Sequence, residues 1–98
     1  MKVEIDKALR KALKTGEVWL GSKRTVKALR DGEAKLIIMA ADCPEETREE
    51  IGKYDTPALE YKGDNMALGG VCGKPFSVAS LAILEPGESE ILNAIESH

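Results

Sequence analysis

Ninety-eight residues, 43% hydrophobic and 32% charged, fit one soluble domain over residues 1–98 and exclude a disordered or fibrous chain. The longest wholly apolar run, Leu36 to Ala41, is too short to cross a bilayer. The interspersed charges of residues 1–14 leave no signal-peptide core, so a cytoplasmic protein with no membrane partner is expected. The net charge of −3 hides a division: residues 1–35 carry ten Lys/Arg against five Asp/Glu, whereas residues 36–98 carry four against twelve. Such a basic half beside an acidic half points to one anion-binding surface, not to a uniformly cationic protein.

Ile5, Ala8, Leu9, Ala12 and Leu13 fall at helical spacing, and Gly16 is placed to end that helix. "EVWL" reads as a short strand closed by Gly21, with Trp19 in the core. "SKRTVKALRD" follows as a second helix, with Ser22 as N-cap and Gly32 as stop. "AKLIIMAA" is apolar without alternation, as expected of a central strand covered on both faces. "DCPEETREEIGKY" predicts a third helix with Pro44 in its first turn and a solvated run of Glu. "TPALEY" predicts a third strand, which Pro57 either puts at a sheet edge or enters only at its start. "GDNMALGGVCGKP" predicts a short helix and a glycine-rich loop, "VASLAIL" a fourth strand, and Ile91, Leu92 and Ile95 a last helix. This alternation predicts an α/β fold: a three-layer α/β/α sandwich with a four-stranded mixed sheet and helices on both faces.

The candidate chemistry is binding. Lys23, Lys27 and Arg30 are spaced by four and three residues and form a stripe, while Val26 and Leu29 lie on another face to pack inward. The stripe starts at a helix N-terminus, where free N–H groups and the macrodipole favour anions; a merely solvated face is the alternative. "LGGVCGKPFSV" fails as a phosphate-binding P-loop, because three residues separate Gly69 from Gly73 and Pro75 follows Lys74. It reads as a loop bearing Val71, Phe76 and one cation. It either connects elements with Phe76 buried, or presses against nucleic acid with an apolar group free to stack on a base. Cys43 and Cys72 form no C-x-x-C pair and read as reduced thiols. The single His is terminal, so neither a metal site, a cofactor nor a catalytic set is expected.

"GSKRTVKALRDGEAKLIIMAADCP" and "GDNMALGGVCGKPFSVASLAILEPGESEIL" resemble the thirty-e family of archaeal and eukaryotic large-subunit ribosomal proteins, within the seven-Ae superfamily of kink-turn RNA binders. The resemblance runs from about Gly16 to Leu92, with its clearest gap near "KYDTPALEY". It implies the same sandwich and a composite RNA site made of three loops at one end. Its first part would be Gly21, Ser22, Lys23, Arg24 and Thr25, with Lys27 as a further phosphate contact. The second follows the central strand, where relatives commonly place Asn and this chain has Asp42, which can accept from a guanine edge but cannot donate. The third would be Asn65 with the loop Val71 to Phe76: Gly73 for close approach, Lys74 as cation and Phe76 as a base-contacting aromatic. The implied partners are a ribosomal RNA kink-turn and other large-subunit components, with the isolated protein a monomer and not an enzyme. The alternatives are a kink-turn binder of another RNA particle, or a small nucleotide-binding domain or enzyme using the glycine-rich loop.

Overall fold

The structure, a computed structural model, describes residues 4–97. Its elements are α1 (Ile5–Thr15), β1 (Glu17–Leu20), α2 (Ser22–Arg30), β2 (Leu36–Met39), α3 (Glu45–Ile51), β3 (Ala58–Glu60), α4 (Asn65–Val71), β4 (Ser80–Glu85), a 3-10 turn (Ile91–Asn93) and α5 (Ala94–Ser97). The strands form one mixed sheet in the order β1-β4-β2-β3, with β2 and β3 parallel and β4 antiparallel to both of its neighbours.

The inner strands are β2 and β4, which explains why "LIIM" and "SLAILE" are apolar on both faces. Leu36, Ile38, Leu81 and Ile83 point to one side and meet Leu9 and Ala12 of α1, Leu68 of α4 and Ile91 of the 3-10 turn. Ile37, Ala82 and Leu84 point to the other side and meet Ala28 and Leu29 of α2 and Ile51 of α3. Each fully buried Leu or Ile stabilises by about 1.5–3 kcal/mol, so these two apolar layers set the helix positions. Pro57 stands just before the edge strand β3 and joins the ladder through its carbonyl, which accepts the Ile37 N–H at 2.9 Å.

Several local readings shift. Gly21, not Ser22, caps α2; with φ 102° and ψ 152° it occupies a region that side-chain-bearing residues avoid. Val26 is only half-buried, and Thr25, Ala28 and Leu29 form the inward face of α2. Trp19 is half-buried at the margin of the core. Gly32 does stop α2: the Glu33 and Gly32 N–H groups donate back to the carbonyls of Ala28 and Leu29. The same device ends α4, where Lys74 and Gly73 donate to Gly69 and Gly70 at 3.0 and 2.9 Å and Gly73 takes φ 73°. Gly69 and Gly70 are therefore helical, not loop residues. The acidic run of α3 is solvated as expected, with Glu45, Glu46 and Glu49 exposed.

Cys43 and Cys72 are free and buried. Burial pushes the Cys72 thiol from an ordinary 9.0 to about 11, against a smaller opposing pull from Lys74. Burial also raises Cys43, with Arg48 opposing. With its thiol pushed up to about 11, Cys72 is thiolate in only about one molecule in a thousand at pH 8, so slow alkylation is expected in the folded state. Iodoacetamide at pH 8 should label the folded chain far more slowly than the chain in denaturant; equal rates would refute this. The sign follows: the stability linked to Cys72 is complete below pH 9 and is lost as the pH rises toward 11.

Candidate nucleic-acid interface

The carboxyl ends of β1, β2 and β3 lie at one end of the sheet, beside the start of the antiparallel β4. Three consecutive residues entering β4 tie the loops together. Val78 N–H donates to the Asn65 carbonyl at 2.9 Å, Ala40 N–H donates to the Ala79 carbonyl at 2.8 Å, and Gly21 N–H donates to the Ser80 carbonyl at 2.9 Å. A further bond from Ala41 N–H to the Gly63 carbonyl joins the β2–α3 and β3–α4 loops. Backbone bonds of this kind fix loop positions without using the side chains that face outward.

Beneath the first loop lies a buried hydroxyl relay. Thr25 Oγ1 donates to the Gly21 carbonyl at 2.8 Å, Ser80 Oγ donates to Thr25 Oγ1 at 3.4 Å, and Ser22 Oγ lies 3.2 Å from Ser80 Oγ. Thr25 and Ser80 have no exposed surface. Thr25, placed among the RNA contacts by resemblance, thus anchors the loop from below.

The cations of α2 divide. Lys23 is exposed, in the first turn, and makes no ion pair among the described residues. The Arg24 guanidinium sits 5.1 Å from the centroid of the Trp19 ring, a cation–π contact that holds it against β1. Lys27 Nζ pairs with Asp31 at 3.1 Å, an exposed pair of small energetic value. Across the groove between α2 and α3, Glu46 and Glu50 face Lys23, Lys27 and Arg30. The stripe expected from spacing is therefore partly neutralised by its own fold, and its first turn is the cationic part next to the loops.

Asp42 has a defined task. Its Oδ1 accepts the Asn65 N–H at 2.8 Å and its Oδ2 accepts Asn65 Nδ2 at 3.1 Å. An Asn at position 42 would have one carbonyl oxygen for these two donors, so the carboxylate suits the clamp better than the amide. The clamp orients Asn65 at the first position of α4, where Asp64 also caps by accepting from Ala67 N–H at 2.9 Å. Val71 closes α4 half-buried; Gly73, Lys74 and Phe76 are exposed, Phe76 by 53%. The alternative in which Phe76 is buried under a plain connection does not hold.

Two contributors escape a sequence reading. Met66, 62% exposed, stands next to Asn65 and adds apolar surface near the loops. Arg48, set within the solvated run of Glu, fills the β2–α3 turn with its guanidinium. Nε donates to the Cys43 carbonyl at 3.1 Å, one terminal nitrogen donates to the Ala40 and Ala41 carbonyls at 3.1 and 3.0 Å, and the other pairs with Glu60 at 2.8 Å. The turn that presents Asp42 is wrapped round this one side chain. An Arg that follows a strand and Pro within a run of Glu is a weak signal for such a role.

Loops joined by backbone bonds thus bring an exposed Lys23, a half-buried Asn65 amide and an exposed Phe76 to one end of an α/β/α sandwich. The chain belongs to the ribosomal protein L7Ae/L30e/S12e/Gadd45 family, whose profile matches residues 3–93. It is 48% identical over 94 residues to the large ribosomal subunit protein eL30 of Methanosarcina mazei, covering 96% of this chain and 91% of that one. To the eL30 of Archaeoglobus fulgidus it is 55% identical over 82 residues, covering 84% and 95% respectively. A solved structure from Bacillus halodurans, of a protein with unknown function, superposes with a TM-score of 0.79 at 23% identity over 99% of this chain and all of that one, which supports the fold. Membership places the chain with structural ribosomal proteins and not with enzymes. Among the described residues no helix is long and apolar enough to cross a membrane, and no group of three or more His, Cys, Asp or Glu could hold a metal ion.

Proposed function

We propose that the protein is a non-enzymatic component of the large ribosomal subunit, in the cytoplasm, and that it binds ribosomal RNA at a kink-turn. The observation that carries this reading is the stapling of three loops at residues 78–80, which holds Lys23, Asn65 and Phe76 on one rigid edge. A kink-turn brings backbone phosphates together and exposes base edges, so it needs a few cations, an oriented amide and a stacking surface in fixed relation. Lys23 neutralises phosphate, the clamped Asn65 reads a base edge, and Phe76 stacks. The naming of its relatives as large-subunit proteins supports a ribosomal target over another RNA particle. All these residues come from one chain, so a monomer suffices.

The test is a titration with a kink-turn RNA and a straight duplex of the same length. Clear preference for the kinked RNA is expected, and equal affinity would sink the reading. Lys23→Ala should weaken binding about tenfold near 0.1 M salt and lower the salt slope by about one phosphate. An unchanged slope would remove Lys23 from the contact.

A further inference from the structure

The excess of positive charge in residues 1–35 is not explained by α2 alone. Lys7, Arg10, Lys11 and Lys14 recur on α1 at three- and four-residue spacing and share one face. Opposite them, the last turn of α4 and its loop, residues 70–74, form the second wall of an open groove of about 640 Å³. Its lining holds five cations, these four and Lys74, and no carboxylate. The α2–α3 groove, with Asp31, Glu46 and Glu50 in its walls, is the opposite case. None of the five cations makes an ion pair among the described residues. Lys7 with Lys11, and Arg10 with Lys14, are like-charge pairs four apart, an arrangement that by itself destabilises a helix. Lys7 and Lys11 also border a smaller hollow containing Glu4, Glu88 and Glu90; Arg10 and Lys14 are not part of that wall.

We infer that the α1–α4 groove is a second, sequence-independent track for RNA phosphates, taking the backbone that runs on from the loop edge. The inference rests on the RNA reading of that edge. The connection is physical: residues 71–74 belong both to the groove wall and to the loop that leads to Phe76, so a strand leaving the stacking surface passes directly over Lys74. Side-chain ammonium and guanidinium groups on an open wall suit a polyphosphate backbone, which offers charge at regular intervals and needs no enclosed pocket.

The experiment uses the full chain with three RNAs: a kink-turn trimmed close to the kink, the same kink-turn with both stems extended by a helical turn, and a straight duplex of the longer length. Arg10→Gln/Lys14→Gln removes two exposed charges and keeps the aliphatic stems. Wild type should favour the extended over the trimmed kink-turn by about tenfold at low salt. The variant should lose that advantage, lower the salt slope on the extended RNA by about two, and leave affinity for the trimmed RNA unchanged. The charge-preserving Arg10→Lys/Lys14→Arg should behave as wild type. Unchanged binding of the extended RNA by the neutral variant overturns the proposal, and with it would go the case for RNA over an acidic protein partner. Equal losses on both kink-turns overturn it too, since the cations would then act at the loop edge or through the fold. If wild type binds straight duplex and kink-turn alike, the loop-edge reading fails separately, and the groove is still read from the variant's loss on the straight duplex.

Discussion

Gly69→Ala is expected to lower the melting temperature by about 15 °C, the overpacking cost of roughly 2–3 kcal/mol in a domain of this size. Gly69 is buried in α4 where the chain returns toward β4. A β-carbon there would lie 2.0 Å from the Phe76 carbonyl oxygen and 3.1 Å from its carbon, all of it backbone. No rotamer change relieves such a clash. Either α4 lifts from the sheet, straining the Leu68 packing and the Val78–Asn65 bond, or residues 76–77 move and take the stacking ring with them. The adjacent Gly70→Ala is the control. Its β-carbon meets nothing within 4 Å, so the helix should gain about 0.5–1 kcal/mol from the substitution. Thermal unfolding followed by circular dichroism would decide: a Gly69→Ala protein melting within two or three degrees of Gly70→Ala would show the clearance at α4 to be misread.

Arg48→Ala should cost about 2–3 kcal/mol in urea unfolding and weaken binding of kinked RNA. Three carbonyls of the β2–α3 turn receive the guanidinium, and hydrogen bonds to a charged group are the strong kind. The Glu60 partner is more than half exposed, so little of the loss belongs to that ion pair. Arg48→Lys separates geometry from charge. A single ammonium cannot reproduce a planar fork that spans three acceptors, so most of the loss should remain. If Arg48→Lys were as stable as wild type, the fork would not be what holds the turn.

What could be read from the chain was local or periodic. "LIIM" declared an inner strand because both its faces are apolar, Pro57 declared an edge or a strand start, and Gly16 and Gly32 declared helix ends. The basic first turn of α2 was equally legible. The pairing of Lys27 with Asp31 was available from their spacing of four, but the presence of Glu46 and Glu50 across the groove from α2 depends on how α3 is laid beside it. Asp42 and Asn65 are 23 positions apart, Ser80 and Thr25 are 55, and no periodicity connects them. Gly69 resembled a loop glycine because its purpose, clearance for Phe76, exists only once the chain has turned back on itself.

The stapling of the loops at Val78, Ala79 and Ser80 has a consequence for folding. Among the described residues β1 has β4 as its one neighbour in the sheet, so residues 17–20 stay unpaired until residues 80–85 insert between β1 and β2. The loop edge is thus assembled in the same step that closes the sheet, by contacts of long sequence separation that form late and cooperatively. Before β4 inserts, the edge can hold only its Ala41–Gly63 bond and Asp42–Asn65 clamp, without the three bonds to residues 78–80. Ligand bound there is therefore linked to global folding, and RNA should protect the β4 amides from hydrogen exchange as strongly as it protects the loops it touches.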